Sequence, residues 1–94
     1  MADEPFTPQQ VKKLIRQIIK SGTVSFSDHA LKEAKKDGLS TVDCEKVLQG
    51  GIVEPPELQN GSWRYRVRTA LMYVVVAFRS ESHLVVVTTW RIKK

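Results

Sequence analysis

The sequence predicts a small α+β domain, with two to three helices first and a mainly antiparallel sheet after them. Three observations carry this. Apolar residues recur at helical spacing in the first half of the chain. From Ile52 onward the spacing changes to every second residue. No repeat or linker composition interrupts the 94 residues, so one domain is expected over residues 1–94. Helices that precede antiparallel strands bury their apolar stripes on one face of the sheet.

The first helix opens at Thr7-Pro8-Gln9-Gln10. Thr7 suits the cap, Pro8 the first helical position, and Gln10 the third position of a capping box. Val11, Leu14, Ile15, Ile18 and Ile19 form its apolar stripe, and Ser21-Gly22 ends it. Thr23 to Phe26 is a short extended piece. Ser27 caps a second helix over Asp28 to Asp37, with Ala30, Leu31 and Ala34 inward and Gly38 as its stop. Ser40 with Asp43 starts a third helix, in which Val47 and Leu48 point inward and which Gly50-Gly51 ends.

The strands follow. Ile52-Val53-Glu54 is cut short by Pro55-Pro56. Asn60-Gly61 signals a tight turn. Trp63 to Arg68 alternates strictly. Leu71 to Phe78 is apolar on both faces and reads as a central strand. Since helices cover only one of those faces, a second copy or another protein is expected on the other. His83 to Trp90 is the last strand, before the basic tail Arg91-Ile92-Lys93-Lys94.

The formal net charge of +5 favours an anionic partner. The single cysteine, Cys44, excludes an internal disulfide and a paired-cysteine metal site, and reads as a half-buried helix residue. Met1 to Pro5 lacks a secretory pattern, and no apolar run is long enough for a spanning helix; a cytoplasmic location is expected, away from membranes. No cofactor motif and no cluster at metal-ligand spacing occurs.

The sharpest feature is the strand Trp63-Arg64-Tyr65-Arg66-Val67-Arg68. Side chains alternate along a strand, so the three arginines share one face, about 6.5–7 Å apart. Arginine grips phosphate bidentately, and no acid intervenes in the strand. The bland reading is an ordinary solvated face. The pattern favours one that meets the phosphates of RNA, extended by Arg79, Arg91, Lys93 and Lys94. Trp63 and Trp90 either stack on bases or close the rim of the core.

His29 opens the second helix. It either packs locally or exchanges protons in RNA cleavage, in which the ribose 2′-OH attacks the neighbouring phosphorus. That reaction also needs cations on the phosphate, which the arginines supply, and Tyr65 is a second proton carrier. It needs no metal. Alternation creates a conflict, however: if the arginines face RNA, Tyr65 turns towards the helices. His83 reads as a surface residue.

Phe26-Ser27-Asp28-His29-Ala30, Asp37-Gly38-Leu39-Ser40, Val47-Leu48-Gln49-Gly50, Arg64-Tyr65-Arg66-Val67 and Val87-Thr88-Thr89-Trp90, in that order, resemble a family of small bacterial proteins of unassigned function. That family is grouped with the RelE/ParE-like toxins. Tyr65-Arg66-Val67-Arg68 and Trp90-Arg91 are also distantly similar to motifs of the MqsR mRNA interferases. The resemblance implies a RelE-like fold, and a metal-independent endoribonuclease toxin held by a cognate antitoxin. His29, Tyr65, Arg66 and Arg91 would then be catalytic, and Arg64, Arg68, Arg79, Trp90 and Lys93 would bind RNA. The competing expectations are a binding module without catalysis and a gyrase-directed toxin of the ParE type.

Overall fold

A computed structural model describes residues 3–92, so the expectation for Lys93 lies outside the described residues. The helices are α1 (Pro8–Ser21), α2 (Asp28–Lys36) and α3 (Thr41–Gly50). The strands are β1 (Thr23–Phe26), β2 (Ile52–Val53), β3 (Glu57–Gln59), β4 (Ser62–Arg68), β5 (Met72–Ser80) and β6 (His83–Arg91). The chain is thus α+β, with its helices N-terminal and its sheet mainly antiparallel.

Local chemistry explains the helix starts. Thr7 Oγ1 accepts from the Gln10 amide at 3.2 Å, while Gln10 Oε1 accepts from the Thr7 amide at 2.8 Å. Ser40 and Asp43 form the same reciprocal box on α3. Ser27 Oγ accepts from the Ala30 amide to cap α2. The α1 stripe narrows as it meets the sheet: Val11, Ile15 and Ile18 are buried, while Leu14 and Ile19 pack at the margin. On α2 only Ala30 and Ala34 are buried. Leu31, expected inward, is exposed: α2 buries only the narrow stripe of Ala30 and Ala34.

The sheet order is β1-β6-β5-β4-β2, with β3 added to β4. All neighbours are antiparallel except β1 and β6, which run parallel from Thr23↔His83 to Phe26↔Val86. Asn60 and Gly61 both take positive φ, 51° and 77°, as the two central residues of a type I′ hairpin do. That turn folds β3 (which the sequence pattern does not reveal) against β4.

The core lies between α1, α3 and one face of the sheet. Tyr65 and Val67 of β4, Val74, Val76 and Phe78 of β5, and Leu84 and Val86 of β6 supply the sheet's share. Cys44 is fully buried rather than half-buried. Burial pushes its thiol pKa up, and Sγ lies 3.7 Å from Thr89 Oγ1.

At the α3–β2 junction, a Cβ on Gly51 would stand 2.6 Å from the Val47 carbonyl oxygen and 2.8 Å from that of Arg68. Both are backbone atoms and cannot move aside cheaply. Gly51→Ala is therefore expected to destabilise the protein by about 1–3 kcal/mol, read from a lower urea midpoint at unchanged slope. An unchanged midpoint would contradict this packing.

Candidate nucleic-acid interface

The sheet face opposite the core carries the arginines. Register aligns two rows across it: Arg68, Tyr73 and Trp90, then Arg66, Val75 and Thr88. Tyr73 and Trp90 stack with ring centroids 4.8 Å apart and planes 20° apart. Val75, at the centre of this face, is only 6% exposed, covered by the side chains around it.

A β-bulge decides which end of β6 joins this face. Val75 pairs with Thr88 and Val76 with Val86, which leaves Val87 as the extra residue. Beyond the bulge the alternation reverses. Thr88 and Trp90 turn to the open face, while Thr89 and Arg91 turn to the helix side. Thr89 is fully buried there, and its Oγ1 donates to the Tyr73 carbonyl at 2.6 Å.

Arg91 consequently leaves the arginine group. Its Nε donates to the Asp37 carbonyl at the C-terminal end of α2. Its amide donates to Asp37 Oδ2 at 2.8 Å. A cation at that helix end complements the dipole. Arg91 is exposed there and lines the depression that Tyr73 and Trp90 border, so it sits at the rim of the open face rather than in the arginine rows.

Tyr65 is also withdrawn. Its residue is fully buried, with Phe6 and Phe78 packed around the ring at centroid distances of 6.0 and 5.4 Å. The hydroxyl donates to Glu4 Oε2 at 2.7 Å and accepts from the Phe6 amide at 3.1 Å. Burial, chiefly, holds its pKa far above the ordinary tyrosine range. Tyr65 therefore lies on the core side of the sheet, away from the face that carries the arginines.

The arginines are not all free. Arg66 Nη2 lies 3.2 Å from Glu57 Oε2, and Arg68 Nε lies 2.9 Å from Glu54 Oε2. The Tyr73 hydroxyl donates to the same Glu54 oxygen at 3.3 Å. No acid intervenes within β4, but β3 and the segment before it bring two acids over the face. These pairs are partly exposed, and such pairs contribute about 0–1 kcal/mol each. A phosphate can replace the carboxylates. Arg64 is in neither pair. Its Nε is buried and has no hydrogen-bond partner among the described residues.

Helix α2 forms one rim. Its start is tied to β6 by the Ser27 amide and Oγ, which donate to the Val86 and Val87 carbonyls. Its end is tied at Arg91. The helix therefore runs beside the edge that β1 leaves uncovered. Glu33, Lys36 and Asp37 line a depression of about 470 Å³ together with Tyr73 and Trp90. Helical spacing sets His29 on the side of α2 that carries Glu33, one turn earlier, and His29 is exposed.

Arg79 is exposed at the β5–β6 hairpin, beside Ser80, Glu81 and Ser82, and is not part of the rows. Trp63 packs against the core. His83, on β6 before the bulge, makes a 2.8 Å hydrogen bond between its Nε2 and Ser25 Oγ across the parallel pair. No spacing rule in the sequence joins those two residues, because β1 and β6 are 58 positions apart.

Among the described residues, no group of three or more His, Cys, Asp or Glu side chains could hold a metal ion. None of the described helices is long and apolar enough to cross a membrane. In comparison with known proteins, the family described as a domain of unknown function (DUF4258) matches residues 26–91. No curated protein and no solved structure matches the chain.

Proposed function

The chain belongs to the DUF4258 family, and from that premise we propose that it is a metal-independent endoribonuclease of the toxin type, holding single-stranded RNA on its open sheet face. One observation carries the reading: Arg64, Arg66, Arg68, Tyr73 and Trp90 share the sheet face that the core leaves free. Arginines along a strand follow a phosphate chain, and aromatic rings beside them receive bases. The resemblance to RelE/ParE-like toxins and MqsR interferases supports the cleavage step.

In that step the ribose 2′-oxygen attacks the adjacent phosphorus. The 5′-oxygen leaves, and a 2′,3′-cyclic phosphate remains. His29 on the α2 rim takes the 2′-hydroxyl proton and returns a proton to the departing 5′-oxygen. Arg66, released from Glu57 by the incoming phosphate, offsets the charge that builds on the phosphoryl oxygens. A cognate antitoxin with an acidic surface would cover the same face, as Glu54 and Glu57 already do in part.

Tyr65 is buried on the core side and Arg91 is hydrogen-bonded to Asp37 at the rim, so His29 is the one proton carrier of the proposal that is exposed beside this face. That observation favours a second reading, a binding module that holds RNA or a protein without cutting. The experiment is RNA cleavage by purified protein in chelator, with and without ribosomes, alongside growth on induced expression. Cyclic-phosphate ends and growth arrest are expected. His29→Ala should slow cleavage by about 100-fold or more while leaving RNA binding unchanged. Intact RNA in every condition, with unaffected growth, contradicts the enzyme; RNA binding without cleavage supports the module.

A further inference from the structure

We infer that the cleft between β3 and β6 on the open face is a base-reading site for guanine, an inference that rests on the RNA reading of that face. The cleft measures about 160 Å³. That is well below the volume of sites that enclose drug-sized ligands, and suits a single ring system. Arg64, Arg66, Glu57, Gln59 and Thr88 supply its polar lining, Trp90 an aromatic wall, and Val75 and Val87 apolar sides.

The donor and acceptor set selects the ligand. Arg64 only donates, and among the described residues it has no ion pair; its Nε is buried with no hydrogen-bond partner among them, a rare state for a buried donor. Glu57 only accepts. One of its oxygens is on Arg66, and the carboxylate has acceptor capacity left. Arg66 is engaged by that carboxylate, which leaves Arg64 and the remaining Glu57 acceptor as the groups a ligand can answer. A neutral ring that offers adjacent acceptors to a guanidinium and adjacent donors to a carboxylate is favoured.

Guanine meets both conditions. Its O6 and N7 are neighbouring acceptors, the pair that arginine reads bidentately. Its N1–H and N2–H₂ are neighbouring donors for a carboxylate. Adenine and cytosine put an acceptor beside their amino group, and uracil flanks its one N–H with carbonyls. Each would set a lone pair against Glu57. A base in single-stranded RNA is free to present these edges, and Trp90 gives it a stacking surface.

The test uses uridine pentamers carrying guanosine, adenosine, cytidine or uridine at the centre, with binding read by fluorescence polarisation. The guanosine pentamer is expected to bind about tenfold tighter than the others, a discrimination typical of one bidentate pair. Replacing that guanosine with inosine, which lacks the N2 amino group, should remove much of the gain. Arg64→Lys keeps the charge but not the fork, and should level the four affinities. Glu57→Gln should raise uridine-pentamer binding, because Arg66 is freed, while abolishing the guanosine preference. Equal affinities for all four pentamers, with binding still lost in an Arg64/Arg66/Arg68 alanine variant, overturn the guanine site and leave the RNA face standing. No binding of any pentamer overturns both.

Discussion

Replacing Arg64, Arg66 and Arg68 together with alanine is expected to lower affinity for single-stranded RNA on the order of a hundredfold near 0.1 M salt. Each phosphate contact on a single strand contributes about 0.7 to the slope of log K against log salt, so three lost contacts lower the slope by about two. The loss is compounded by Glu54 and Glu57. In the native face they are paired with Arg68 and Arg66; without those partners they add uncompensated negative charge where the RNA should lie. The triple lysine variant separates charge from shape. It keeps the salt slope but loses the bidentate geometry, so it should bind more weakly than the native protein and more tightly than the alanine variant. The three residues are partly exposed, so circular dichroism should report an intact fold. Affinity and slope unchanged in the alanine variant would remove the open face from RNA binding.

Tyr65 gives the largest expected effect on stability. Its ring sits fully buried between Phe6 and Phe78, so Tyr65→Ala removes a large side chain from the centre of a small core. Truncations of this kind cost about 3–5 kcal/mol. For a domain of this size each kcal/mol is about 4–8 °C of melting temperature, so the variant should melt well over 10 °C lower. Tyr65→Phe is the sharper probe. It keeps the ring but leaves the buried Phe6 amide without its acceptor and breaks the bond to Glu4. A loss of about 1–3 kcal/mol is expected. RNA binding and cleavage, measured well below the lowered transition, should be unaffected. Lost cleavage at full stability would return Tyr65 to the active site.

Much of the helical half is legible in the sequence because its signals are local. The capping boxes at Thr7 and Ser40 need only residues three apart, and the structure forms both. The arginine alternation on β4 is equally local. The features that shape the candidate site are not. β3 is three residues long, follows two prolines, and exists because the Asn60-Gly61 turn returns it to β4. The carboxylates on Arg66 and Arg68 lie 9 and 14 positions away; Glu57 arrives by that hairpin, and Glu54 by the pairing of β2 with β4. The bulge at Val87 leaves no mark on a continuous run of β-branched residues, yet it sends Trp90 to the open face and Arg91 to α2. Nor does helical spacing show that α2 buries only Ala30 and Ala34 and leaves Leu31 exposed.

The arginine face that alternation predicts is therefore real as geometry but different in charge. It is flanked by two acids and floored by a Tyr73–Trp90 stack. The measurement that tests it most directly is a nuclear magnetic resonance titration of the protein with single-stranded RNA, following backbone amides and the two tryptophan indole signals. Shifts are expected to gather on Arg64, Arg66, Tyr73, Val75, Thr88 and the Trp90 indole, with the Trp63 indole and α1 unmoved. Shifts confined to the helix side, or none at millimolar RNA, would contradict it.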